Sequence, residues 1–163
     1  MTDHKTCTAF LDVANILPIL NKVSILAGLS PDQLYSVFRL LERVSYKEGE
    51  VVFERGEKPS HIYIIESGKV RLYAANGQAT LEVVVFDEGQ CFGEASVIGI
   101  RPHSVTAVAA EDTELIVLSR KALMSIYEQD TRIFSVLILN IAREACRRLH
   151  ASSESLLYYI SKK

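Results

Sequence analysis

Cysteine is scarce in this 163-residue chain, and what there is lies scattered. Cys7, Cys91 and Cys146 are odd in number and form no CxxC pair. That argues against a disulfide framework and a cysteine zinc site, and suits a reduced, cytoplasmic setting. A charge excess is missing too. The 18 Lys and Arg against 20 Asp and Glu leave a formal charge of −2, far from the strongly basic footprint of a nucleic-acid binder. No run approaches the ~20 apolar residues needed to span a membrane, and the N-terminus has no basic-then-apolar leader pattern. His4, His61, His103 and His150 are equally dispersed, so spacing points to no metal and no haem. Serine, histidine and carboxylates occur, but none sits in a nucleophile elbow, a metal-ligand helix or a Walker loop. The expectation is a chain that is not an enzyme, with no cofactor and no catalytic residue.

What is present is a single-domain pattern in three parts. At 163 residues the chain fits one domain with some helical extension and can bury a real core. Residues 1–43 read as helical. Phe10, Val13, Ile16, Leu17 and Leu20 recur at helical spacing between Thr8 and Leu26, interrupted by Pro18. Ser30-Pro31 reads as an N-cap and first helical position, with Leu34, Val37, Phe38, Leu40 and Leu41 as the apolar stripe. Residues 44–118 switch to short β segments, at 51–53, 61–65, 70–73, 81–86, 105–108 and 115–118, punctuated by glycines roughly every ten residues. Asn76-Gly77 is a hairpin signal. That spacing predicts an all-β roll or barrel. Val70, Leu72, Val83 and Val85 alternate with polar positions and are expected to line it.

Residues 119–163 turn helical again. Ser119 is an expected N-cap for a short helix over 121–128, and Asp130 for a long one to about Ser152. Ile133, Leu137, Ile141, Ala145 and Leu149 recur every four residues, and Phe134, Val136, Ile138 and Ala142 widen the apolar surface. A helix apolar most of the way round is usually buried on two sides. Arg143, Glu144, Arg147 and Arg148 read as a solvated far end, with Asn140 and Arg143 as polar positions along the way.

The chemistry concentrates in residues 92–106, Phe92-Gly93-Glu94-Ala95-Ser96 followed by Arg101-Pro102-His103-Ser104-Val105-Thr106. Glycine lets backbone approach a ligand closely or adopt positive φ. The residues after it form a short helix whose free amides favour an anion. Glu94, an acceptor, suits a sugar hydroxyl and would repel a phosphate beside it.

This layout resembles the phosphate-binding cassette of the cyclic nucleotide-binding domain family, that of catabolite activator-type regulators and protein kinase A regulatory subunits. The words Leu-Ala-Gly-Leu-Ser-Pro-Asp-Gln-Leu (26–34), Tyr46 to Phe53 and Ile62 to Val70 extend the resemblance over about residues 25–150. It implies a mostly β fold with flanking helices: a β roll plus N-terminal helices and a long C-terminal helix. It implies that Glu94 takes a ribose 2′-hydroxyl and that Phe92, Gly93, Ala95, Ser96, Pro102, Ser104 and Val105 surround the phosphate. It also implies an arginine after the proline, where this chain has His103. An arginine fork makes paired charged hydrogen bonds; a histidine near pH 7 is mostly neutral and offers at most two divergent donors. Arg101 carries the right charge but lies across Pro102.

His103 is open to three readings: a weaker or retuned ligand site, a vestigial site, or a donor strengthened by protonation. A base lid is expected from residues 138–148. The expected function is ligand sensing: cAMP, cGMP or a related anion binds the cassette, and the long helix passes the signal to a protein partner. The alternative is a degenerate domain acting as a dimeric scaffold or sensing another ligand. The resemblance also implies a homodimer through residues 130–157. The helix-turn-helix domain that follows this helix in the bacterial regulators is not in the sequence, so neither DNA binding by the chain itself nor a membrane role is expected.

Overall fold

In a computed structural model the chain is described at residues 8–9, 23–75 and 79–161. The elements in order are β1 (Thr8–Ala9), a 3₁₀ turn (Ser24–Leu26), α1 (Pro31–Phe38), β2 (Leu41–Tyr46), β3 (Val51–Phe53), β4 (His61–Ser67), β5 (Val70–Ala75), β6 (Thr80–Phe86) and β7 (Cys91–Phe92). They continue with α2 (Glu94–Gly99), β8 (Thr106–Ala109), β9 (Thr113–Ser119), α3 (Arg120–Gln129) and α4 (Thr131–Ser161). The strands form two sheets, β1-β2-β9-β4-β7 and β3-β8-β5-β6. Each pairing described is antiparallel.

Parity along β4 and β9 explains how the layers stack. Ile62 and Ile64 on β4, with Ile116 and Leu118 on β9, face the helices and pack with Val37, Phe38, Leu123, Ile126, Leu137 and Ile141. Tyr63 and Ile65, with Leu115 and Val117, face the second sheet and pack with Phe53, Val70, Phe86 and Phe92. The first sheet is therefore the middle layer, buried on both faces, which is why its central strands read as continuous apolar runs rather than alternating ones. Each fully buried side chain of this size contributes roughly 1.5–3 kcal/mol.

Local signals fix the helix starts. Ser30 Oγ accepts from Gln33 N while Gln33 returns a bond to the Ser30 amide, a complete capping box with Pro31 at the first helical position. Ser119 Oγ accepts from Ala122 N. Asp130 Oδ1 accepts from the amides of Arg132 and Ile133. From there α4 runs unbroken for 31 residues, past the expected end near Ser152.

Several expectations are corrected. The stripe of α1 stops at Phe38; Leu41 opens β2, where it pairs with Leu118 and is buried. The middle sheet claims this residue because the β9 ladder offers it both backbone partners and a core site. Thr8–Ala9 is a strand on the β2 edge, and Ser24–Leu26 is a tight turn, so neither end of the expected 8–26 helix is α-helical. Phe10, Val13, Ile16, Leu17, Pro18 and Leu20 lie outside the described residues, as does the Asn76-Gly77 turn, although Ala75 and Thr80 on either side of it pair. On β6 the inward residues are Val84 and Phe86, whereas Val83 and Val85 are exposed. A register shift at Leu72–Tyr73 leaves Val83 unmatched, and a one-residue slip exchanges the two faces.

The face of α4 is also corrected. Ile133, Leu137 and Ile141 are buried, but Ala145 and Leu149 are exposed. Four residues turn a helix about 400°, so a strict four-residue repeat drifts off the contact face by about 40° each turn. The face continues instead through Glu144 and Arg148. No described helix is long and apolar enough to cross a membrane.

Candidate functional site

Gly93 joins β7 to α2 with φ of +82°. A Cβ there would sit 3.0 Å from Tyr63 Cδ2 and 3.1 Å from the His61 carbonyl oxygen, so both conformation and space require glycine. Its bend carries Glu94 inward at the first position of α2. Glu94 is only 2% exposed.

An aromatic floor supports this corner. Phe92 stacks on Tyr63 at 5.0 Å and on Phe86 at 5.8 Å, and Phe53 lies tilted against Tyr63 and Phe92. His103 closes the row. Its ring stacks on Phe53 at 3.7 Å with an interplanar angle of 11°, and the residue is 4% exposed. Its backbone is pinned as well: His103 N donates to the Glu57 carbonyl and its own carbonyl accepts from Gly56 N. Burial lowers the pKa of His103 below the ordinary histidine value, outweighing the opposite pull of Glu57. Burial thus disfavours the charged form of the ring.

The cation at this site comes from elsewhere. Arg148, on the long helix, places Nη1 2.6 Å from Glu94 Oε1. Its Nη2 donates to the Cys91 carbonyl, its Nε donates to Glu144 Oε1 at 3.1 Å, and its guanidinium carbon lies 4.7 Å from the centre of the Phe86 ring. Glu144 is itself bridged by Arg147. The second carboxylate oxygen of Glu94, Oε2, is buried with no hydrogen-bond partner. Burial raises the pKa of Glu94 above the usual carboxylate range, and Arg148 offsets part of that rise. The neighbouring Cys91 thiol is pushed up to about 12, chiefly by burial and then by Glu94, which leaves it protonated.

The expected site residues divide into two groups. Phe92, Gly93, Glu94 and His103 converge on this corner, and Val105 is half-buried against the same inter-sheet cluster. Ser96 is half-buried and its carbonyl accepts from Arg101 N; Ala95, Arg101, Pro102 and Ser104 are exposed. Arg148 was expected on a solvated end and is instead the residue that meets Glu94. Its spacing held the signal: 133, 137, 141, 144 and 148 share one face at 3.6 residues per turn, so a cation there needs a buried partner. Asn140 falls within the stretch expected to supply a base lid. It is 7% exposed, and its Nδ2 donates to the Ile25 and Ala27 carbonyls at 3.2 and 2.7 Å, tying α4 to the 3₁₀ turn. Arg143 donates to Asn140 Oδ1. Among the described residues no group of three His, Cys, Asp or Glu could hold a metal ion.

Comparison with known proteins matches residues 43–130 to the family described as the cyclic nucleotide-binding domain. The Cyclic AMP receptor protein of Thermus thermophilus is 30% identical over 130 residues, 79% of this chain and 58% of that protein. A CRP-like cAMP-activated global transcriptional regulator of Mycobacterium tuberculosis is 28% identical over 142 residues, covering 86% of this chain and 62% of its own length. The chain therefore spans about three-fifths of these relatives. A crystal structure of a cyclic nucleotide-binding domain from Methylobacillus flagellatus shares the fold at a TM-score of 0.80, covering 88% of this chain and 82% of that one at 20% identity.

Proposed function

Because the chain belongs to the cyclic nucleotide-binding domain family, we propose that it is a regulatory rather than catalytic domain, binding cAMP or cGMP in the cassette of residues 92–106. The observation that carries this reading is the buried Oε2 of Glu94 with no donor. A buried acceptor left unmade costs about 1–3 kcal/mol, and a ribose hydroxyl is a donor of the right kind to relieve it. Phe92, Gly93, Ala95, Ser96, Pro102, Ser104 and Val105 surround the cyclic phosphate in this reading, with His103 beneath it.

Output runs through α4. A hydroxyl on Glu94 changes what Arg148 shares with it, and Arg148 belongs to the long helix. Coupling of this kind amounts to about 1–3 kcal/mol. The helix passes the change to a second copy and then to a protein partner, a route favoured over DNA by the balanced charge. Support for the dimer comes from spacing: Leu139, Ala142, Cys146, Leu149, Leu156 and Ile160 are all exposed, and with Ser153 they alternate by three and four residues, the seam of a coiled coil.

Isothermal titration with cAMP and cGMP tests the site. The wild type should bind one of them saturably, and Glu94→Ala, checked for folding by its melting curve, should bind at least tenfold more weakly. No heat from either nucleotide would remove the proposal.

A further inference from the structure

The geometry points to His103 as the residue that sets the ligand class: the site holds its nucleotide by the ribose end and does not read the phosphate as a charge, so an uncharged cyclic phosphate ester binds as well as the anion. This rests on the cyclic nucleotide reading above, which places the phosphate beside His103.

Three observations carry it. First, the His103 ring is fixed by a parallel stack on Phe53 at 3.7 Å and by backbone bonds to Gly56 and Glu57 on both sides, so it cannot turn outward to follow a ligand. Its burial lowers its pKa and so disfavours the charged form. A neutral imidazole gives a phosphate one hydrogen bond at most, where a guanidinium gives two charge-assisted ones. Second, two nearby cations are committed elsewhere. Arg55 donates to the Ala75 carbonyl and Arg148 is already divided among Glu94, Glu144 and the Cys91 carbonyl, while Arg101 is exposed and separated from His103 by Pro102. Third, the carboxylates nearby do not favour an anion: Glu57 acts electrostatically on His103 itself, and Glu94 and Glu144 flank Arg148. A negative charge entering here meets three carboxylates, which offset the pull of the free α2 amides on an anion. The unsatisfied Glu94 Oε2 gains a donor whatever the charge at the far end.

The test compares cAMP with its methyl phosphotriester, which keeps base, ribose and ring but carries no charge, by calorimetric titration of the full chain. The wild type should bind the two with dissociation constants within about threefold. His103→Arg should then favour cAMP over the triester by roughly ten- to a hundredfold, the worth of a charged hydrogen bond. A wild type that prefers cAMP by more than tenfold overturns the inference and leaves the proposed function standing. If the wild type binds neither and His103→Arg binds cAMP, the ribose end does not suffice and the inference falls. If neither protein binds either compound, the cyclic nucleotide reading falls and takes the inference with it. Should His103→Arg not fold, the wild-type ratio alone still decides.

Discussion

Replacing Arg148 by alanine isolates the contact that joins the cassette to the long helix. Glu94 would be left as a carboxylate with a 3% exposed side chain, deprived of its ion partner and with Oε2 already unpaired. Removing one member of a buried pair costs about 3–5 kcal/mol, and the 29% exposure of Arg148 puts this case at the low end, about 3 kcal/mol. For a domain of this size that lowers Tm by roughly 6–12 °C. Glu94→Gln should cost less, about 1 kcal/mol, because Arg148 keeps Glu144 and the Cys91 carbonyl. The double variant should be milder than the sum of the two, with a coupling of about 1–3 kcal/mol. The pH dependence adds an independent signature. Glu94 titrates higher in the fold than in the unfolded chain, so its contribution is fully present below pH 4.5 and is lost as pH rises through the folded value. Without Arg148 that rise has less to oppose it, so Arg148→Ala should lose more stability at pH 8 than at pH 5. Thermal melts of the four proteins at equal concentration across that range make the measurement. An Arg148→Ala protein melting within about 2 °C of wild type, or strictly additive single costs, would refute the reasoning.

Three further outcomes are expected. Gly93→Ala should destabilise by about 1–3 kcal/mol, from the left-handed φ and the clash with Tyr63 and His61, and should abolish nucleotide binding; melting curves and titration read both. His103→Phe keeps the stack on Phe53 but cannot titrate. The wild-type ring has a depressed pKa, so its contribution is present above pH 6.5 and lost as pH falls, by up to about 1.4 kcal/mol per pH unit. The variant should be flatter between pH 7 and 5.5, and matching slopes would count against a neutral buried ring. Leu149→Glu should convert a dimeric wild type to monomer by light scattering, and mild oxidation should join two Cys146 thiols across a parallel seam. A monomeric wild type would remove the seam.

The sequence is most legible where one local rule decides. Serine and aspartate caps at Ser30, Ser119 and Asp130 mark three helix starts because a side-chain oxygen must meet a free amide. Most strands of the roll stand out through their β-branched runs and the glycines between them. Legibility fails where a distant partner decides. Leu41 continues a helical stripe by spacing alone, and only the β9 ladder makes it a strand. Val83 and Val85 alternate as a lining should, but Val84 and Phe86, paired with Leu72 and Val70 on β5, are the ones that face the inter-sheet core. The cassette is readable as a word, yet its cation is not, since Arg148 lies 54 residues from Glu94 and looks solvated until helical drift is followed along the face. The stack of His103 on Phe53 joins a loop to a strand 50 residues earlier, and spacing cannot announce it.

From Leu149 to Tyr158 every residue of α4 is exposed, so the helix stands clear of the body just beyond the Arg148 anchor. Under the proposed function that makes it a lever with its fulcrum beside Glu94. The thirteen residues from 149 to 161 extend about 20 Å, so a tilt of about 10° at the pivot sweeps the tip by about 3.5 Å. A displacement of a few tenths of an ångström beside Glu94 can therefore arrive at Ile160 magnified several-fold, large enough to break or make side-chain contacts on another surface.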